Sequence, residues 1–350
     1  MFFASDNAGP VHPKVMQALN DANTGYAMPY GNDEIMNRVR AQVREIFEAP
    51  DAAVFLVATG TAANSLILAT QCQPYETVFC HRVAHIHEDE CNAPEFYSGG
   101  AKLSLVEGEN GKMTPDTLRA AIVAEEVRGV HGPQRGPVSI TQVTEKGTVY
   151  SVDELTALTT VAKDYGLPTH LDGARFTNAM VALGCSPAEM TWKAGIDVVS
   201  FGGTKNGLMG VEIVVLFDRK QAWEFELRRK RGAHLFSKHR YLSAQVEAYL
   251  TDGLWTDMAT SANRAGARMA DGLRAIPHAD LVFPAQSNLL FATFPRSAHQ
   301  RLNDAGAVYY IMSGSLEGDD PDEPLLARIV CDWSAKDADI DQYLALVRGD

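Results

Sequence analysis

Short β-branched apolar runs keep alternating with amphipathic stretches, and nothing else in the chain restricts its fold as tightly. Ala53-Val54-Phe55-Leu56-Val57, Thr77-Val78-Phe79-Cys80, Lys102-Leu103-Ser104-Leu105-Val106 and Pro137-Val138-Ser139-Ile140-Thr141 read as buried strands. So do Pro168-Thr169-His170-Leu171, Asp197-Val198-Val199-Ser200-Phe201 and Val211-Glu212-Ile213-Val214-Val215-Leu216-Phe217. Helical patterns lie between them. Residues 153–165 place Leu155, Leu158, Val161 and Ala162 on one face, and Gly166 follows as a C-cap. Regular strand–helix alternation implies crossover units, hence an α/β fold on a mostly parallel sheet. After one long helical stretch over residues 237–274 the pattern changes to shorter strands at 289–293 and 327–331, with an acidic Gly/Pro loop at 317–324. This shift sets a boundary near residue 250, with a large domain over 1–250 and a smaller C-terminal α+β domain over 251–350.

Lys and Arg number 31 against 44 Asp and Glu, a net charge of −13, and such a field repels phosphate backbones. Nucleic acid is therefore excluded as a partner. The five cysteines, Cys72, Cys80, Cys91, Cys185 and Cys331, form no C-x-x-C pair, which argues against a disulfide framework or a zinc ribbon and for a reducing compartment. Met1-Phe2-Phe3-Ala4 meets Ser5-Asp6-Asn7 without a basic or extended apolar segment, so neither a signal peptide nor a membrane partner is expected. The expected location is the cytoplasm.

Four segments carry chemistry. In Ser200-Phe201-Gly202-Gly203-Thr204-Lys205-Asn206-Gly207 a lysine sits among small residues directly after a strand. It is either a nucleophilic amine beside glycines that admit a planar partner, or a solvated turn residue. Asp172-Gly173-Ala174-Arg175 ends another strand, where open α/β sheets bind ligands. Asp172 there can hold a pyridinium nitrogen protonated, or pair structurally with Arg175. Ala58-Thr59-Gly60-Thr61-Ala62-Ala63-Asn64 opens a helix and offers N–H groups to phosphate, with Thr59 or Thr61 as a hydroxyl donor or a plain N-cap. His85-Ile86-His87-Glu88-Asp89-Glu90 has the H-x-H-x-D spacing of metallo-hydrolases, with His131, His170, Asp172 and Glu145 as possible further ligands. A metal-dependent hydrolase built on His85, His87 and Asp89 is thus the alternative from another class.

Taken in order, these segments together with Ser5-Asp6-Asn7 and Tyr30-Gly31-Asn32-Asp33 resemble the threonine aldolases of the β-eliminating lyase family, pyridoxal-phosphate enzymes of fold type I. The resemblance implies that fold and a lyase that splits β-hydroxy-α-amino acids into glycine and an aldehyde. A β-eliminating lyase or aminotransferase of the same fold is the alternative within it. It makes Lys205 the Schiff-base lysine, Asp172 the partner of the pyridine nitrogen and His85 the ring stacked on the cofactor. Thr59, Gly60 and Thr61 become the phosphate cup, and Arg175 and Arg328 the grip on the substrate carboxylate, with Ser5 and Tyr30 bordering the substrate. His85 and His131 are the candidate general bases, and a water near the phosphate is a third. Lys230 and Arg231 resemble a basic segment that reaches a neighbouring subunit's phosphate, so a homo-oligomer, dimer or tetramer, with shared sites is implied. Two positions depart from the family pattern: His87 replaces a more usual polar or aliphatic residue, and Arg135-Gly136 displaces the arginine after Gln134.

Overall fold

The computed structural model describes residues 1–125 and 127–350. A seven-stranded sheet dominates, in the order β1-β7-β6-β5-β4-β2-β3. Its strands are β1 (Ala53–Val57), β2 (Glu76–His81), β3 (Lys102–Val106), β4 (Gln134–Thr141), β5 (Thr169–Gly173), β6 (Val198–Gly202) and β7 (Glu212–Leu216). β7 runs antiparallel to both neighbours, β1 and β6, while β6, β5, β4, β2 and β3 pair in parallel. Only a 3-10 turn, Thr204–Asn206, lies between β6 and β7, too short a connection for a crossover helix.

Period-two alternation sends the two faces of the sheet into separate cores. Val54 and Leu56 of β1, Val199 and Phe201 of β6, and Ile213 and Val215 of β7 enter the larger one, beneath the helices Glu34–Ile46, Val152–Asp164, Phe176–Leu183 and Arg240–Leu250. Phe201 packs there against Phe47, Phe176, Tyr249 and Trp255, at centroid separations of 4.9 to 5.9 Å. On the other face Ala53, Val57, Val198, Val214 and Leu216 meet Ala62, Ala63, Leu66 and Ile67 of the helix Gly60–Gln71.

The helix expected over 153–165 forms at Val152–Asp164. Ser151 and Glu154 make a capping box at its start, and Gly166 beyond its end takes φ +69°. The expected helical stretch over 237–274 forms as two helices, Arg240–Leu250 and Leu254–Arg274. Left-handed Asp252 and Gly253 in the turn Thr251–Gly253 break it, because an α-helix cannot continue through positive φ.

A four-stranded antiparallel sheet, β10-β11-β9-β8, forms the second layer system from β8 (Asp280–Leu281), β9 (Leu289–Pro295), β10 (Tyr310–Ser313) and β11 (Pro324–Val330). The helix Leu254–Arg274 serves both cores: Leu254, Trp255 and Met258 enter the first, and Ala265, Met269 and Leu273 the second. The chain's start joins the second core as well. Phe3 is buried in it, donates its N–H to Val308 and accepts from Val330. This anchoring delivers the next residues, Asp6–Ala8, against the turn Thr204–Asn206.

Candidate active site

The carboxyl ends of β5 and β6 lie side by side, with Asp172 in register with Ser200. Leu171 and Val199 point into the large core, so Asp172 and Ser200 point the other way, to the helix Gly60–Gln71. Asn64 meets both there. Its Nδ2 donates to Asp172 Oδ2 at 3.0 Å, and its Oδ1 accepts from Ser200 Oγ at 2.9 Å. The Ala174 N–H adds a bond to Asp172 Oδ1 at 3.2 Å, so a carboxylate only 2% exposed is held in one orientation.

Lys205 stands on the turn that follows β6, which is fixed from both ends. Asn206 Nδ2 donates to Tyr249 Oη at 2.8 Å and to the Trp255 carbonyl at 3.0 Å, while Glu212 accepts from the Gly203 N–H at 2.7 Å. Burial pushes Glu212 up to about 6, against the bonds from Thr204 and Gly203 and the charge of Lys205. Lys205 itself is half-buried, and among the described residues its amine has no hydrogen-bond or ion-pair partner. The glycines around it do a different task from the one their sequence suggests. A Cβ at Gly202 would overlap the Ala174 carbonyl, and one at Gly173 would sit 2.5 Å from Ser200 O, so they admit neighbouring backbone rather than a planar ligand.

The helix Gly60–Gln71 begins beside this turn. Thr59 is its N-cap, with Oγ1 accepting from the Ala62 N–H at 3.1 Å, so the cap role left open for Thr59 is the one its hydroxyl plays. Gly60 and Thr61, its first two residues, have N–H groups without intrahelical acceptors, and a Cβ at Gly60 would meet nothing within 4 Å.

His85 opens the short helix His85–Glu88 and turns its Nδ1 to Glu90 Oε1 at 2.8 Å. Burial disfavours the charged ring, but the Glu90 bond and the carboxylates of Asp172 and Glu145 outweigh it and hold the imidazole above its usual range. Burial and the nearby Asp172 also raise Glu90, against its bonds to His85 and Asn64. The metal reading of this segment fails on geometry. His87 and Asp89 are exposed, and among the described residues no three His, Cys, Asp or Glu side chains gather as a metal requires.

Arg175 is buried and forks onto Asp6, so the acid beside its guanidinium is Asp6 and not Asp172. Asp6 keeps the Arg175 guanidinium charged in spite of burial. Arg328 donates Nη1 to the Ala4 carbonyl at 3.0 Å and lies over the Tyr310 ring. Burial and the closeness of Arg175 lower its pKa, which places two guanidiniums together as a bound carboxylate requires. Half-buried Glu145 faces His85, Arg175 and Arg328. Ser5 caps the turn Asp6–Ala8 through its hydroxyl.

Three groups of predicted residues stand apart in the single chain. His131 is exposed in the turn Gly129–His131, before the amino end of β4, while the site lies at the carboxyl ends. The eight residues of β4 span about 26 Å. Lys230 and Arg231 are exposed at the end of the helix Ala222–Arg231, and Lys230 lies 5.2 Å over the ring of Tyr30, outside the cavity described next.

Lys205, Asp172, Asn64, His85, Glu212, Thr204 and the Thr59-Gly60-Thr61 helix start line one cavity of about 290 Å³. Its chemistry fits pyridoxal phosphate: a partnerless amine for the aldehyde, an oriented buried carboxylate for the ring nitrogen, and a helix start with open space at Gly60 for the phosphate. Asn64, Glu90, Asp6 and Glu212 acquire a role only here, and Glu145 one other than the metal ligand the sequence allowed. Each is an ordinary polar residue in sequence, and tertiary contact alone reveals its partner.

Comparison with known proteins agrees. Residues 3–294 match the family described as beta-eliminating lyase. Low specificity L-threonine aldolases from a Pseudomonas species and from Pseudomonas aeruginosa are each 42% identical over 346 residues, covering 99% of this chain and 96% of theirs. The structure of Leishmania major threonine aldolase superposes with a TM-score of 0.92 at 24% identity, over 99% of this chain and 98% of that one. Sphingomonas wittichii serine palmitoyltransferase gives 0.71 at 16%, over 99% and 86%. No described helix is long and apolar enough to cross a membrane.

Proposed function

This chain belongs to the beta-eliminating lyase family, and we propose that it cleaves β-hydroxy-α-amino acids of the threonine, allo-threonine or phenylserine type to glycine and an aldehyde, with pyridoxal 5′-phosphate as cofactor. The observation that carries this reading is the single cavity shared by the Lys205 amine, the Asp172 carboxylate and the Thr59-Gly60-Thr61 helix start. Bound there, the cofactor supplies an electron sink for the pair released at the substrate's Cα. Lys205 anchors the aldehyde, Asp172 keeps the ring nitrogen protonated, and the N–H groups of Gly60 and Thr61 take the phosphate. Arg175 and Arg328 grip the substrate carboxylate and so fix which bond at Cα is presented, with Ser5 bordering it in the same chain and Tyr30 bordering a neighbouring copy's site. His85, on the cavity wall, removes the β-hydroxyl proton. His131 could do so only when supplied by another copy, given its place before the amino end of β4, away from the carboxyl ends that carry the site.

We read the working form as a cytoplasmic homotetramer. Five free cysteines support a reducing location. Tyr30 and Lys230 share an exposed patch outside the cavity, which suits a basic segment serving a neighbour's phosphate. Product analysis with threonine, allo-threonine, phenylserine and alanine tests the reaction. Glycine and the matching aldehyde are expected from the three β-hydroxy substrates and no carbon–carbon cleavage from alanine; ammonia and an oxo acid without glycine would overturn it.

A further inference from the structure

Glu90 stands behind the cavity wall, bonded to His85 and Asn64, with its side chain wholly buried. The proposed chemistry gives it no task so far. Left-handed Cys91 and Asn92, at φ 49° and 60°, turn the chain just beyond it, and Glu90 Oε1 accepts at once from His85 Nδ1 at 2.8 Å and Asn64 Nδ2 at 2.9 Å. Glu90 Oε2 is buried and has no hydrogen-bond partner among the described residues. Because Ser200 donates to Asn64 Oδ1, the amide nitrogen of Asn64 must face the carboxylates, so a single NH₂ group bridges Glu90 and Asp172.

That arrangement dictates the tautomer of His85. An ionised carboxylate can only accept, so beside a charged Glu90 the imidazole carries its proton on Nδ1, which leaves the lone pair of the neutral ring on Nε2. We propose that Glu90 is a positioning residue that makes His85 the general base, by fixing its ring with Nδ1–H inward and Nε2 free, and by balancing the charge that ring gains. The inference rests on the reading of His85 as the base. In the step itself the substrate's β-hydroxyl proton passes to Nε2, the oxygen's electron pair forms the aldehyde C=O, and the Cα–Cβ pair remains on Cα. A proton returned to Cα completes glycine, so atoms and electrons balance without an oxidant. Glu90 holds the imidazolium as the buried carboxylate of a hydrolase triad holds its histidine. A merely structural Glu90 would satisfy Asn64 and the ring equally well as a neutral amide, and this difference separates the two roles.

The charged groups facing His85 are Glu90, Asp172, Glu145 and Lys205. Removing the charge of Glu90 alone therefore leaves the two remaining carboxylates and the lysine as they are. In holoenzyme with threonine as substrate, Glu90→Gln is expected to keep cofactor absorbance and to hold KM within about twofold. It should lower kcat about ten- to a hundredfold and move the acid limb of kcat/KM down by about one pH unit. Nitrogen-15 resonances of labelled histidine should report the same downward movement of His85's own titration. A wild-type kcat and an unmoved limb in Glu90→Gln, alongside inactive His85→Asn, would overturn the role of Glu90 and leave His85 as base. Full activity in His85→Asn would instead overturn the reading beneath it. Should Glu90→Gln lose the cofactor, the histidine resonances of the cofactor-free proteins decide: a His85 titration below that of cofactor-free wild type supports the proposal and an unmoved one refutes it.

Discussion

The Nε and Nη2 atoms of Arg175 lie 2.6 and 3.0 Å from the two carboxylate oxygens of Asp6, 169 positions earlier in the chain. Both side chains are almost completely buried. Burial opposes the Asp6 charge, but Arg175 and Lys205 outweigh it and hold the carboxyl below its ordinary range. Asp6→Ala strands a buried guanidinium, so a loss of about 3–5 kcal/mol at pH 7 is expected. Chemical denaturation of both proteins checks it. A depressed acid stabilises above its unfolded pKa of 3.8 and loses that contribution as pH falls through its lower folded value, so the gap should narrow in strong acid.

The same pair governs substrate affinity. Asp6→Asn keeps one acceptor for the fork but gives up charge and symmetry, and Arg175 then holds its orientation less firmly. KM for threonine should rise about tenfold while cofactor content stays unchanged, as for a lost charge-assisted bond of about 1.5 kcal/mol. Steady-state kinetics and the cofactor absorbance together give the answer.

Glu212 makes a prediction of opposite sign. Its carboxyl, at about 6 in the fold against 4.5 unfolded, binds a proton more readily when folded, so it costs stability as pH rises from 4.5 to 6 and the penalty is constant above that. A shift of that size amounts to about 2 kcal/mol at pH 7. Glu212→Gln retains an acceptor for the Gly203 N–H and should unfold at a higher temperature than wild type at pH 7.5, with the advantage gone near pH 4.5. Thermal scans of cofactor-free protein at the two pH values test this.

Gly173 has no room for a side chain: an added methyl would press on Ser200 O and on Phe176. Gly173→Ala is expected to cost at least about 1–3 kcal/mol and to displace Asp172 next to it. Lower cofactor affinity should accompany the lower unfolding midpoint.

The strand segments 53–57 and 102–106 were legible to the residue, the first as an unbroken apolar run buried between helices and the second as apolar–polar alternation on an edge strand. The direction of β7 was not, since Val211-Glu212-Ile213-Val214-Val215 carries the same apolar signal whether parallel or antiparallel; only the short link after Lys205 distinguishes them. Asp172, Lys205 and the Thr59-Gly60-Thr61 helix start could be read because each follows a strand, and strand ends converge in an open sheet. Asp6 and Glu90 could not. Their partners are 169 positions away in one case and 5 and 26 positions away in the other, and neither leaves a periodic trace. The H-x-H-x-D spacing misled for a related reason: on a one-turn helix, positions two apart face different ways.

Reduction of the holoenzyme with borohydride, followed by proteolysis and mass mapping, tests the central claim most directly. The account predicts a pyridoxyl label on the peptide containing Lys205 at near one per chain, and none in Lys205→Ala. A label on another lysine, or a fully active protein that takes up no label, would contradict it.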